Sequence, residues 1–417
     1  IIFFWVARMV MASYEFKGEK PFEEVLFTGI VRDEEGRKMS KSLGNSPDPI
    51  HLIDEYGADA LRCSLVMLTP TGQDIFFSES TLEVGRNFCN KIFQASKLVL
   101  GVWDEAGLEA GAGDAPRTVD LADSCGAAAW ESDPRAAFDA LWAGVFGGMP
   151  PAPPDLELED RWMLSRLMAT VAECDGNMER RRLNDAAYAV FNFFRHEYCD
   201  WYLEAIKPRM RDETRRDGVL PVALLGLGVA YKLLHPVMPY ITEELWNWLP
   251  PADGYLMTSS FPRFTGDVPM QDEADRFAQV MEITGIIRNI RNELGVQPGL
   301  RGRGILRVPD EAEAAGLEKV TGQVALLSKL EEVTVVVGGQ DPSPAGSGVA
   351  GTVEIFLPMD GLVDLEKERA RLEKELAGIE GWLKGCRAKL ANEKFVANAP
   401  AAVVQQQKDL LAENEAK

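Results

Sequence analysis

Arg37-Lys38-Met39-Ser40-Lys41-Ser42-Leu43-Gly44-Asn45 is the stretch on which the reading of this chain turns. Two lysines three residues apart alternate with hydroxyls, between the turn-forming Arg32-Asp33-Glu34-Glu35-Gly36 and a helix start at Asp48-Pro49. Lys38 and Lys41 supply positive point charges, Ser40 and Ser42 hydrogen-bond donors, and Gly44 a backbone that a ligand can approach closely. Such a loop suits polyphosphate, because charge on transferring phosphates is stabilised by cations already in place. By composition alone, a short Lys/Ser run is more often a solvated surface loop.

Working outward, residues 22–30 alternate and read as a strand, and a helix is expected from Pro49 to about Leu68, with Leu52, Ile53, Tyr56, Ala60, Leu61 and Leu65 on one face. A second helix is expected over 80–100. The Gly-, Ala- and Asp-rich stretch that follows, acidic over 104–155, reads as a loosely ordered insertion. Helical periodicity returns at 157–182, 184–206, 217–235 and 239–249, with prolines near the joints, which predicts a helical bundle. After Pro269 a helix, strands near 305–308, 333–337 and 353–357 and a helix at 310–328 form a small α+β unit. Leu362, Leu365, Leu372, Leu376, Ile379, Leu383, Cys386 and Leu390 follow a heptad seam broken by Arg369, and the break from Asn392 to Pro400 predicts an antiparallel coiled-coil hairpin. The fold class expected is mainly α.

The 417 residues suggest two to four domains. The opening run Ile1-Ile2-Phe3-Phe4-Trp5-Val6-Ala7 stops at Arg8, too short for a membrane span and without the basic start of a signal peptide; it reads as a buried helix cut by a fragment boundary. Six scattered cysteines with no C-x-x-C pair, and three histidines, offer no zinc-ligand spacing, so no metal site is expected and reduced thiols in the cytoplasm are. A net charge of −21 argues at first against a nucleic-acid partner. Residues 104–160, however, hold thirteen Asp/Glu against two Arg, so −11 of the −21 lies in one stretch. Residues 285–307 carry five Arg and one Glu, and local positive faces are what an RNA would meet.

The string Lys-Met-Ser-Lys-Ser resembles the signature of class I aminoacyl-tRNA synthetases, whose loop closes over ATP during amino-acid activation. That resemblance implies that Lys41 binds and stabilises the phosphates most directly, that Lys38 assists, and that Ser40 and Ser42 position the loop. Phe3-Phe4-Trp5-Val6-Ala7-Arg8-Met9 and Gly29-Ile30-Val31-Arg32-Asp33 resemble the valine enzymes. Gly57-Ala58-Asp59-Ala60-Leu61-Arg62, Gly85-Arg86-Asn87-Phe88 and the stretch from His235-Pro236 to Leu245-Trp246 are similar to the valine, isoleucine and leucine group. Arg288-Asn289-Ile290-Arg291 and the terminal heptads look like the valyl branch.

The resemblance implies a Rossmann-type catalytic end at 1–48, a stem-contact helical region at 49–79, an anticodon-binding bundle at 80–265, the α+β linker at 266–360 and a coiled-coil tRNA-binding arm at 361–417. It also implies ATP with Mg²⁺, valine and tRNA(Val) as partners, a monomer, and no membrane. The family's His-x-Gly-His motif is not matched by His51, His196 or His235, and the valine pocket and editing domain have no counterpart here, so the chain alone is not expected to activate valine.

Candidate RNA contacts are Arg62, then Arg86, Asn90 and Lys91 on one helical face, and Lys384, Arg387, Lys389 and Lys394 toward the hairpin tip. Each has a bland alternative: Arg62 as a polar residue on an amphipathic helix, Arg86 as a local cap, Phe88 and Phe93 as bundle core, and the hairpin as a solvated coil of ten Lys/Arg and ten Asp/Glu over 362–417, 10 − 10 = 0. Trp201, Tyr202, His235, Trp246 and Trp248 read as core, and Arg180-Arg181-Arg182 as either a solvated face or a phosphate contact. An isoleucyl or leucyl enzyme, or a non-catalytic tRNA-binding scaffold descended from a synthetase, are the rival readings.

Overall fold

The computed structural model describes residues 1–70, 72–108, 126–250, 254–362, 382–385, 387, 390 and 405. The chain divides into two compact units, Ile1–Ala278 and Gln279–Lys417.

In the first unit the run Ile2–Val6 is a π-helical turn leading into α1 (Ala7–Lys17), which ends on Gly18 at φ 74°. The segment is helical, as expected, and its Phe3, Phe4, Trp5 and Phe16 are not covered but exposed. Residues 22–30 are not a strand either. Only β1 (Val31–Arg32) forms, pairing in parallel with β2 (Ile75–Phe76), and the preceding residues find no partner strand to satisfy their backbone groups. The expected 49–68 helix is broken in two. Asp48 caps α2 (Pro49–Tyr56) through the Ile50 amide, and Gly57 at φ 93° turns the chain into α3 (Ala58–Met67), a conformation that suits glycine.

The bundle comprises α4 (Leu82–Ala106), α5 (Ala127–Ser132), α6 (Pro134–Phe146), α7 (Leu158–Glu179), α8 (Leu183–Asn192), α9 (Leu203–Arg211), α10 (Arg216–Leu234) and α11 (Pro239–Trp246). Between α8 and α9 the helix continues through a ten-residue π segment, Phe193–Tyr202, which periodicity alone did not reveal. Helix α10 is long and apolar enough to cross a membrane by length and composition, but it is 89% buried inside the protein as the bundle's central rod. Gly226 and Gly228 admit neighbours against it: a Cβ at Gly226 would lie 2.6 Å from the Tyr198 ring, and one at Gly228 would lie 2.4 Å from Phe146.

The supposed insertion is where the structure departs furthest from expectation. Asp133 caps α6 by accepting hydrogen bonds from the Arg135 and Ala136 amides, with Pro134 at the first helical position. The helix then buries Phe138, Leu141, Trp142, Val145 and Phe146. Trp142 meets Phe146 at 4.8 Å, and Phe146 stacks on Trp246 of α11 at 5.7 Å between centroids. The Ala/Gly/Asp composition of 101–155 masked five large apolar residues that this helix buries. Residues 109–125 of that stretch lie outside the described residues.

A buried polar cluster ties α7 to α9. Arg209 donates to Asp160 and, at 3.3 Å, to Glu159, and also to the Asp155 carbonyl. Tyr202 Oη donates to Asp160 at 2.8 Å, and Asp160 also accepts from the Glu157 amide, completing a capping box at the start of α7.

The division between units falls within α12 (Gln271–Glu293). In the second unit four strands lie in the order β4-β3-β6-β5, where β3 is Arg303–Val308, β4 Glu332–Val337, β5 Ala345–Ala350 and β6 Val353–Pro358. β3 and β4 are parallel, joined by α13 (Glu311–Glu318) and α14 (Thr321–Ser328), while β6 runs antiparallel to both β3 and β5. β5, sequence Ala-Gly-Ser-Gly-Val-Ala, was not expected because glycine disfavours strands. Its reason is close approach: a Cβ at Gly346 or Gly348 would lie 2.4 Å from Ile290 or Ile286. The coiled-coil hairpin expected over 361–417 lies almost wholly outside the described residues; 382–385, 387, 390 and 405 are helical.

Removing one partner of a buried ion cluster leaves the others desolvated and unanswered. Arg209→Ala is therefore expected to lower stability by about 3–5 kcal/mol. Lys207→Ala, which removes only the exposed pair with Glu204, should cost less than about 1 kcal/mol. Urea unfolding of the two variants checks the contrast.

Candidate functional site

The loop at 37–45 is held at both ends by one carboxylate. Asp33 is buried and accepts from the Arg37 amide (2.7 Å), from Arg37 Nε (2.7 Å) and from Asn45 Nδ2 (2.8 Å). The Asn45 bond leads in pulling the Asp33 carboxyl down from an ordinary 3.8 to about 2, with the Arg37 amide and guanidinium adding to it against the cost of burial. Asn45 works in both directions, since its Oδ1 accepts from the Ser40 amide at 2.9 Å. Upstream, Arg32 is paired with Asp74, which also accepts from the Ile30 amide at 2.9 Å. Gly29 is required beside them, because a Cβ there would overlap the Gln73 carbonyl oxygen at 1.6 Å.

Between those ends, Ser40 caps a single 3₁₀ turn, Lys41–Leu43, with its hydroxyl accepting from the Leu43 amide at 3.3 Å and lying 3.2 Å from Ser42 Oγ. Gly44 closes the turn at φ 68°. Met39 is the loop's apolar foot. It packs with Tyr56, Leu61 and Leu65 against the buried cluster Leu52, Phe77 and Leu82.

The three cations of this loop are used differently. Arg37 is committed to Asp33 and, at 2.8 Å, to Glu35. Lys38 and Lys41 are exposed, and neither ε-amine has a hydrogen-bond or ion-pair partner among the described residues. An open cleft of about 390 Å³ lies beside the loop, but Asp33, Glu34, Glu35 and Glu79 line it and neither lysine does. Its sign is wrong for polyphosphate, so the lysines and not the cleft are the candidate phosphate contacts. Sequence reasoning missed Asp33, Met39 and Asn45 as the loop's anchors. Met39, the apolar residue between two polar neighbours, was the available signal; the Asp33–Asn45 bond spans twelve residues and left none.

The other candidates are spread over the first unit. Arg62 donates to the carbonyls of Val237 (2.9 Å) and Pro236 (3.1 Å). Arg86 lies over the Tyr56 ring at 5.5 Å and 3.8 Å from Glu83, Asn90 is exposed, and Lys91 is paired to Asp200 at 2.7 Å. Phe88 is core against Phe191, while Phe93 is exposed and meets Trp248 edge-on at 5.7 Å. Tyr202 and Trp246 are buried, and Trp248 is exposed. Arg180 donates to Asn177, Arg181 pairs with Glu24, and Arg182 lies 4.0 Å from Asp185. Lys384 and Arg387 are helical and exposed; Lys389 and Lys394 lie outside the described residues.

Residues 1–78 match the tRNA synthetases class I (I, L, M and V), residues 160–306 the anticodon-binding domain of tRNA ligase, and residues 364–417 the valyl tRNA synthetase tRNA binding arm. The valine–tRNA ligase of Chlorobaculum tepidum is 36% identical over 421 residues, 99% of this chain and 43% of that protein. Those of Syntrophotalea carbinolica and Bacteroides fragilis are 34% and 36% identical over the whole chain, covering 43% and 42% of their own length. The chain thus spans under half the length of the curated relatives it matches. A solved LeuRS–tRNA–LeuAMS complex of Agrobacterium radiobacter K84 covers 80% of this chain and 35% of its own at 18% identity and a TM-score of 0.42, a likeness too weak to place any residue. With a class I synthetase segment, an anticodon-binding domain and a valyl-type arm in that order, the chain belongs to the class I aminoacyl-tRNA synthetases and corresponds to a C-terminal portion of the valyl type.

Proposed function

We propose that this chain is the part of a valine–tRNA ligase that supplies the phosphate loop and the tRNA-binding surfaces. The whole enzyme joins the carboxylate of valine to the α-phosphate of ATP, releasing pyrophosphate, then passes the valyl group to the terminal ribose of tRNA(Val). The carrying observation is a pair of exposed lysines, without a partner among the described residues, on a loop whose third cation, Arg37, is already satisfied. As pyrophosphate leaves, negative charge grows on its bridging oxygen; in this reading Lys41, assisted by Lys38, neutralises that charge, and the hydroxyls of Ser40 and Ser42 orient the turn. Mg²⁺ accompanies the nucleotide in this reading. Among the described residues no group of three or more His, Cys, Asp or Glu could hold a metal, so none is assigned to it.

The tRNA contacts proposed are Asn90, with Arg86 and Lys91 after release from their present partners, on the outer side of α4, and Lys384, Arg387, Lys389 and Lys394 on the terminal arm. Such contacts position the RNA backbone and read its shape. A monomer in a reducing, cytoplasmic compartment completes the proposal. Cys63, Cys174 and Cys199 support the compartment, being free and buried, with burial pushing their thiols up to about 12.

In the full-length enzyme, Lys41→Ala should slow ATP–pyrophosphate exchange roughly a hundredfold or more while changing tRNA affinity little. Equal effects on the two would mean that the loop does not act on phosphate. Asn45→Ala should let the Asp33 carboxyl rise from about 2 toward 3.8 in an NMR titration and should slow exchange through a looser loop. Because the folded-state value is the depressed one, the loop's carboxylate contribution is present above 3.8 and is lost as pH falls toward 2. Deleting 362–417 should weaken tRNA binding with a shallower salt dependence and leave valine activation intact. Affinity unchanged at every salt concentration would remove the arm from the interface.

A further inference from the structure

We propose, building on the phosphate-loop reading above, that Asp59 and Arg62 are positioning residues that couple the helical bundle to the lysine loop. Both lie on α3, three residues apart and so on one face. The buried Asp59 carboxylate accepts from the amides of Tyr240 (3.2 Å) and Ile241 (2.6 Å) in the first turn of α11, where backbone donors are otherwise unsatisfied and the helix end is positive. Arg62 takes the other side of the same turn, donating from Nε and Nη2 to the Val237 and Pro236 carbonyls. One side chain thus grips the amides of the 235–241 turn and the other grips its carbonyls, and the pair fixes both position and rotation of α3 against it.

There is little slack behind this clamp. Helix α4 presses so closely on α3 at Gly85 that a Cβ would lie 2.4 Å from the Ala60 carbonyl oxygen and 2.7 Å from Ser64 Oγ. Meanwhile the same α3 carries Leu61 and Leu65, which pack with Met39 against Leu52, Phe77 and Leu82. Met39 stands between Lys38 and Ser40. A shift of the 235–241 turn therefore travels through two hydrogen-bonded side chains, one short helix and the apolar cluster on which Leu61, Leu65 and Met39 all pack, to the residues flanking Met39. Packed elements of this kind transmit displacement because they are stiff. Sequence alone offered Arg62 as an RNA contact; its guanidinium is engaged with protein carbonyls instead.

The test is steady-state pyrophosphate exchange and tRNA binding in the full-length enzyme. Arg62→Ala and Asp59→Ala are expected to lower kcat by roughly tenfold to a hundredfold, the range for a catalytic group displaced by about 1 Å. The KM for valine and the tRNA Kd should stay within about twofold; a smaller folded fraction would also lower kcat alone, so kcat is taken per active site counted by the adenylate-formation burst, and the loss should persist on that basis. Arg62→Lys, which can keep one of the two hydrogen bonds, should fall between, and it carries the test if Arg62→Ala melts below the assay temperature. A double-mutant cycle decides the route: if the clamp acts through Met39, Arg62→Ala with Met39→Ala should cost no more than the worse single variant. Multiplying losses, or normal kcat in Arg62→Lys and Asp59→Ala, would overturn the proposal. Lys41→Ala in the same assay separates the two readings. If it retains activity, the loop assignment fails; if it is inactive while the clamp variants are normal, the coupling alone fails.

Discussion

Asp33 receives the Arg37 amide, the Arg37 guanidinium and the Asn45 amide group together, and much of the first unit's chemistry depends on that choice of partners. A carboxylate within reach of a Lys-rich loop would ordinarily capture a lysine, and a captured lysine cannot answer an incoming phosphate. Here the fork-shaped donor is used for the internal bond, where its fixed geometry matches a carboxylate. The two flexible point charges are left outside. The loop is consequently rigid at its ends, tethered at Met39, and open at the amines.

That arrangement needs a platform, which the helical bundle supplies. Helix α10 is buried on every side, and α6 and α11 close over it with the Trp142, Phe146 and Trp246 rings. The bundle also carries ions inside: Arg209 with Asp160 and Glu159, plus the Tyr202 hydroxyl. Burial of that kind contributes little net stability but penalises any packing in which one member is unpaired.

The acidic balance of the chain is compatible with an RNA partner because the charge is unevenly placed. Much of it falls in 104–160, and acidic residues there are drawn into local caps, as with Asp133 and Asp160. On α4, by contrast, Asn90 remains exposed beside Arg86 and Lys91, whose present partners are single side chains or rings on the protein surface. Surface pairs of that kind are worth little and are readily exchanged for phosphate.

Local chemistry was legible in the sequence and long-range pairing was not. The lysine loop, the Pro-started helices α2 and α11, the bundle between 157 and 249 and the strands β3, β4 and β6 follow from short-range rules of capping, periodicity and turn formation, all of which act within a few residues. The misread segments share one cause. Composition concealed α6, whose large residues only make sense once Trp246 and α10 stand opposite, and it concealed β5, whose glycines only make sense beneath Ile286 and Ile290. The roles of Arg62, Asp33 and Asn45 likewise depend on partners 12 to 175 residues away. By itself, then, the sequence determined which cations the loop carries; only the tertiary structure decided that Arg37 is engaged while Lys38 and Lys41 have no partner among the described residues, because a charge's availability is set by the groups that folding brings within hydrogen-bond reach.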